Sequence, residues 1–137
     1  MKILRSDEQP STAGPAEYFT GSVRLDAQFS PPAPARANAA VVTFEAGART
    51  AWHTHPLGQR LLILSGEGWV QRAGEAKRVV RPGDTVWFEP DEKHWHGATD
   101  REPMSHVAIQ ESRDGSPVTW LEPVAEEDYL AATSSEG

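Results

Sequence analysis

The chain of 137 residues contains no cysteine. That excludes a disulfide framework, a thiolate metal site and a cysteine nucleophile, so a bound metal must be held through nitrogen and oxygen. Long apolar runs are also missing, with nothing near the roughly 20 residues that a membrane helix needs. The opening stretch MKILRSDEQPSTAGPA offers only Ile3 and Leu4 as apolar neighbours, too little for a secretory signal. The expectation is a cytoplasmic protein without membrane contact. Cations are scarce as well: 13 Lys and Arg stand against 20 Asp and Glu, a formal charge of −7. With no basic cluster interleaved with aromatics, nucleic acid is not an expected partner. The acidic run Glu126-Glu127-Asp128 fits the first turn of a short helix better than a binding patch.

What remains is enough for one domain with one core. Residues 1–20 carry Pro10, Gly14 and Pro15 among polar residues and read as an N-terminal arm. Residues 31–36, PPAPAR, hold three prolines and cannot enter a central strand. From Asn38 onward the texture changes to short β-branched and aromatic segments: AAVVTFE, QRLLILS, WVQR, KRVVR, TVWFE, MSHVAIQE and VTWLE, separated by glycine and proline turns. Strands at this spacing predict an all-β sandwich or barrel. The organisation expected is an arm over 1–20, a barrel over 21–125 and a short helix or tail over 126–137. Gly66-Glu67-Gly68 reads as a hairpin turn, because no helix follows to make it a phosphate loop. Trp52, Trp69, Trp87, Trp95 and Trp120 each sit in a strand-like segment, which points to core or interface packing.

All five histidines fall between positions 53 and 106. In an extended chain His53 and His55 leave the same face while Thr54 leaves the other, and His94 and His96 repeat this around Trp95. Gly47, five residues, His53, one residue, His55, three residues, Gln59, six residues and Gly66 match the first motif of the cupins at every spacing, with Gln in place of the final Glu. Gly83 and His94 keep the eleven-residue separation of the second motif, although Pro90 sits one place late and Glu92 and Ala98 replace the usual Gly and Asn. The chain therefore resembles a cupin. That resemblance implies a double-stranded β-helix, an antiparallel barrel or jelly roll, in which His53, His55, Gln59 and His94 hold one divalent metal. Imidazoles and an amide oxygen suit Mn²⁺, Fe²⁺, Co²⁺, Ni²⁺ or Zn²⁺. Gln59 either leaves the ion's charge uncompensated, favouring an anionic ligand, or only preserves the geometry.

The stretches VTFEAGARTAWHTHPLGQRLLILSGEGWVQ, RPGDTVWFEPDEKHWHGA and SHVAIQE, with AEYFTGSVRLD near the start, closely resemble the bacterial cupin hydroxynitrile lyases. The resemblance implies Mn²⁺ as cofactor, a homo-oligomer, and cleavage of a cyanohydrin, a small-molecule substrate, to an aldehyde and hydrogen cyanide. Carried over, His106 or His96 is the acid/base group, and Ala40, Val42 and Gln110 line the pocket. The residues themselves are compatible with this. Met104, His106, Ala108 and Gln110 share one strand face, and Ala40, Val42 and Phe44 share one face of another, so a small apolar pocket containing Phe44 is expected beside the metal. His106 as a core histidine and His96 as a rim residue stay open. An edge-rich barrel with five tryptophans predicts a homodimer or homotetramer. Two other functions fit the same residues: an iron-dependent dioxygenase, and a non-catalytic module binding metal or a small ligand.

Overall fold

In the segment Gln59–Gly66, Gln59, Leu61 and Ile63 are buried while Arg60, Leu62 and Leu64 reach solvent. This period of two is that of a strand with one face on a core. The computed structural model describes residues 1–134. Within them lie the strands β1 (Thr12–Ala13), β2 (Phe19–Thr20), β3 (Val23–Phe29), β4 (Ala37–Phe44), β5 (Arg49–Thr50), β6 (His53–Thr54) and β7 (Gln59–Gly66). These are followed by β8 (Gly68–Arg72), β9 (Arg78–Val80), β10 (Thr85–Phe88), β11 (His94–Ala98), β12 (Met104–Glu111) and β13 (Thr119–Trp120), and then by the short helix α1 (Glu126–Tyr129). No helix among the described residues is long and apolar enough to cross a membrane.

The strands form two antiparallel sheets. One runs in the order β1-β3-β4-β12-β7-β10. In the other, β11 is the hub: it pairs with β5, β6 and β8, while β2, β13 and β9 extend the sheet from β5, β6 and β8 respectively. The first twenty residues thus give one strand to each sheet, through β1 and β2.

Gly66-Glu67-Gly68 is not a hairpin. β7 belongs to the first sheet and β8 to the second, so this turn carries the chain from one layer to the other. Gly66 has φ +77°, and a Cβ there would meet the Pro103 carbonyl oxygen at 1.8 Å; only glycine permits the crossover.

Between the sheets lies a core of Val23, Val42, Phe44, Leu61, Ile63, Val70, Val80, Phe88 and Met104. Alternation in His94-Trp95-His96 turns both imidazoles toward this interior and Trp95 to the back of the second sheet. There Trp95 is fully buried with Val124 and Tyr129. Tyr129, on α1, donates its hydroxyl to the Ala98 carbonyl at 2.6 Å, so the helix covers the back of the histidine-bearing strand.

Candidate active site

His53 and His94 are direct cross-strand partners on β6 and β11. Their ring centroids lie 4.3 Å apart, and His55 stands 5.0 Å from His53 and 5.5 Å from His94. Each of the three rings is anchored through Nδ1 to a backbone carbonyl at 2.8 Å: Ala51 for His53, Pro117 for His55 and Glu92 for His94. A carbonyl only accepts, so Nδ1 carries the proton and Nε2 is left as a bare lone pair. His55 Nε2 is buried without any hydrogen-bond partner. The turn that follows His55, closed by Gly58 N–H to the His55 carbonyl at 3.2 Å, brings Gln59 onto β7 beside the rings.

Gln59 donates its Nε2 to Gln110 Oε1 at 2.9 Å, and its Oε1 faces His94 Nε2 at 3.3 Å. Two lone pairs facing each other at that distance repel unless a positive charge is shared between them. A protonated His94 would serve, but burial pushes its pKa down to about 3. A cation placed among these atoms answers the same need, and neutral imidazoles with one amide oxygen fit a divalent transition metal. The backbone anchors on Nδ1 are the outer support such ligands require.

His96 lies on the same β11 face, its ring 5.2 Å from that of His53. Ligand nitrogens of His53, His94 and His96 all lie within 4.8 Å of one another, so these three buried histidines are a group able to hold a metal ion. His96 Nδ1 meets His106 Nε2 at 3.0 Å. The far nitrogens of this pair, His106 Nδ1 and His96 Nε2, are both buried without a hydrogen-bond partner.

These groups open onto a cavity of about 280 Å³. His53, His55, Gln59, His96 and Gln110 line it on the polar side; Ala40, Val42, Ala108 and Leu25 form the floor from the first sheet. The remaining wall is aromatic. Trp120 stacks on Tyr18 with centroids 4.7 Å apart, and Phe19 stands 5.7 Å from the same indole.

The cupin-domain family Cupin_2 matches residues 40–110. The (R)-mandelonitrile lyase of Granulicella tundricola is 56% identical over 129 residues, which cover 94% of this chain and 98% of that protein. The chain is a cupin. Its fold is shared by a crystal structure of a cupin-like protein from Thermotoga maritima, with TM-score 0.83 and 36% identity over 90% of this chain and 94% of that one. A cupin-2 domain from Rhodospirillum rubrum superposes with TM-score 0.69 at 18% identity, covering 93% of this cupin and 82% of that chain.

The sequence-derived candidates fall into three groups. His53, His55, Gln59 and His94 come together as described, and Ala40, Val42 and Gln110 line the cavity with His96. Phe44, expected in the pocket wall, is instead fully buried one layer behind it, packed on His96 and His106. It shares the inward face of β4 with Val42, but the cavity lining includes Ala40 and Val42 and not Phe44. His106 is likewise fully buried behind His96 rather than at the cavity surface. Tyr18, Phe19 and Trp120 carry no site signal in the sequence: Phe19 and Trp120 lie on β2 and β13, strands of two residues each, Tyr18 immediately precedes β2, and Trp120 reads locally as a core residue.

All five imidazoles are held neutral, and burial is the largest cause in each, pushing His106 down to about 4 as well as His94 to about 3. In the unfolded chain each titrates near 6.5. Below that value the unfolded chain binds more protons than the folded one. The metal-free cupin should therefore lose about 1.4 kcal/mol per pH unit for each such histidine until the folded value is passed. Above about pH 6.5 the contribution is constant. Urea midpoints of metal-free protein should drop steeply between pH 6.5 and 5, and equal midpoints at those two pH values would contradict the buried neutral cluster.

Proposed function

We propose that this cupin is a metal-dependent hydroxynitrile lyase, cleaving a cyanohydrin to an aldehyde and hydrogen cyanide. The observation that carries the reading is the unpartnered, buried Nε2 of His96, a residue that lines the cavity together with His53, His55 and Gln59, with His94 as the cross-strand partner of His53; we assign the proton of the His96–His106 contact to His96 Nδ1, which leaves Nε2 as a base. The Granulicella relative is named for mandelonitrile, an aryl cyanohydrin, and the wall of Trp120, Tyr18 and Phe19 offers flat apolar surface for an aryl group. With the aryl group there, the substrate hydroxyl is directed to the imidazole side. His96 Nε2 takes the hydroxyl proton, His96 Nδ1 continues to donate to His106, and the oxygen's electron pair closes the carbonyl. The bond to the nitrile carbon breaks, cyanide leaves with the bonding pair, and the proton on His96 completes hydrogen cyanide. His53, His55, Gln59 and His94 would hold a divalent metal, which when bound would supply positive charge against the negative charge that develops on the substrate oxygen. We assign Mn²⁺ to that role on the neutral nitrogen and oxygen donor set and the family likeness.

The grouping of His53, His94 and His96 favours a second reading, in which His96 is a third imidazole ligand and a three-histidine iron centre uses O₂. Mandelonitrile cleavage under strictly anaerobic conditions separates the two. The lyase is expected to keep its full rate without O₂, and a rate that vanishes with oxygen would transfer the site to the dioxygenase reading.

We also assign a homodimer or homotetramer. Leu62, Leu64, Trp87 and Ile109 are exposed on the outer side of the first sheet, and Trp87 and Ile109 flank the same residue, Arg60, across β10 and β12. A sheet face with four exposed large apolar side chains is what a subunit contact covers. Sedimentation velocity at micromolar concentration should give a dimer or tetramer; a monomer throughout would contradict the assignment.

A further inference from the structure

Replacing the motif's Glu by Gln creates a problem of orientation. A carboxylate offers an oxygen whichever way it turns, whereas an amide offers oxygen on one side and an NH₂ group on the other. An NH₂ group turned to a cation cannot ligate it. Something must therefore fix the rotation of Gln59, and three strands supply it. Gln110 on β12 is the register partner of Asn38 on β4 and of Gln59 on β7, so the three amides form one row across the sheet. Asn38 Nδ2 donates to Ser112 Oγ at 3.2 Å. Gln110 Nε2 donates to Asn38 Oδ1 and reaches the Asn38 backbone carbonyl at 3.4 Å. That carbonyl can only accept, which sets the direction of the whole row: Gln110 must turn its NH₂ group toward Asn38 and its oxygen toward Gln59. Gln59 Nε2 then donates to Gln110 Oε1 at 2.9 Å, and Gln59 Oε1 is left facing His94 Nε2 at 3.3 Å.

We propose that Asn38 and Gln110 are positioning residues: a polarised amide relay, anchored on the Asn38 carbonyl, that holds the Gln59 oxygen toward the metal. The inference rests on the metal reading above and deepens it. Gln110 also lines the cavity, so activity is a poor readout, and the test uses binding of Mn²⁺ alone to metal-free protein, with free aqueous Mn²⁺ followed by electron paramagnetic resonance. Gln110→Met keeps the length of the side chain and removes both amide ends; it should weaken Mn²⁺ binding about 10–100-fold, the usual cost of losing an outer support of a ligand. Asn38→Asp still accepts from Gln110 and should bind as the wild type does. In a Gln59→Glu background the same Gln110→Met change should cost nothing, because a carboxylate needs no orientation. Wild-type affinity in Gln110→Met alone would overturn the relay. So would a loss that persists in the Gln59→Glu background, which would mark the effect as a general disturbance of the sheet. A wild type that binds no Mn²⁺ at all would overturn the metal reading itself, and the relay with it.

Discussion

His94→Ala is expected to lose bound metal and mandelonitrile cleavage together. His94 is the point where the site's supports meet: it pairs with His53 across β6 and β11, faces Gln59 Oε1, and stacks on Phe88 with centroids 3.6 Å apart. Its Nδ1 is tied to the Glu92 carbonyl, so the ring delivers Nε2 without further ordering. Alanine deletes a donor and leaves a gap against Phe88 into which Gln59 and His53 relax. The remaining His53, His55 and Gln59 would retain weak affinity at best. Cleavage should fall to the background rate, and metal content, measured by elemental analysis after dialysis, should fall below a tenth of the protein concentration; from nine-tenths occupancy that takes roughly an 80-fold loss of affinity, about 2.6 kcal/mol. Thermal unfolding followed by circular dichroism checks that the barrel persists, since Trp95 and Tyr129 hold β11 from behind. Stoichiometric metal in a folded His94→Ala protein would remove His94 from the ligand set. Metal-free yet active protein would remove the metal from the reaction.

The parts of this site that were legible in the sequence are those set by local geometry. His53 with His55, and His94 with His96, lie two apart on extended chain, which settles that each pair shares a face. The same period exposes Leu62 and Leu64 and buries Leu61 and Ile63. What local geometry does not carry is depth and distant pairing. Alternation put Phe44 on the right face of β4 but gave no measure of how far along the strand the cavity extends. Trp120 joins the site because β13 pairs with β6, placing it opposite His53, and Tyr18 arrives because the chain before β2 lies along β5, where the Ala51 N–H donates to its carbonyl. Each contact is fixed by strand pairing far apart in sequence. The choice between His96 and His106 was open for a related reason: both point inward, and only their order of approach to the cavity separates them.

That order makes a definite forecast for the proton transfer. His96 lines the cavity, whereas His106 sits fully buried behind it with its Nε2 3.0 Å from His96 Nδ1. His96→Ala should therefore keep the metal and lose about 10²–10⁴-fold in rate, the usual contribution of a positioned general base. His106→Ala removes no group that touches substrate. With the proton on His96 Nδ1, as the proposed mechanism requires, that N–H is left buried without an acceptor and the ring loses the partner that fixes its orientation. The rate should fall, by less than in His96→Ala. His106→Gln tests this directly, since its amide oxygen can accept the same proton; it should recover most of the rate, whereas a merely space-filling His106→Leu should not. Metal content must be measured in every variant. If His96→Ala loses its metal with its activity, His96 is a ligand and the three-histidine reading takes its place. If His106→Gln is as slow as His106→Leu while His96→Ala is fast, His106 itself takes the proton.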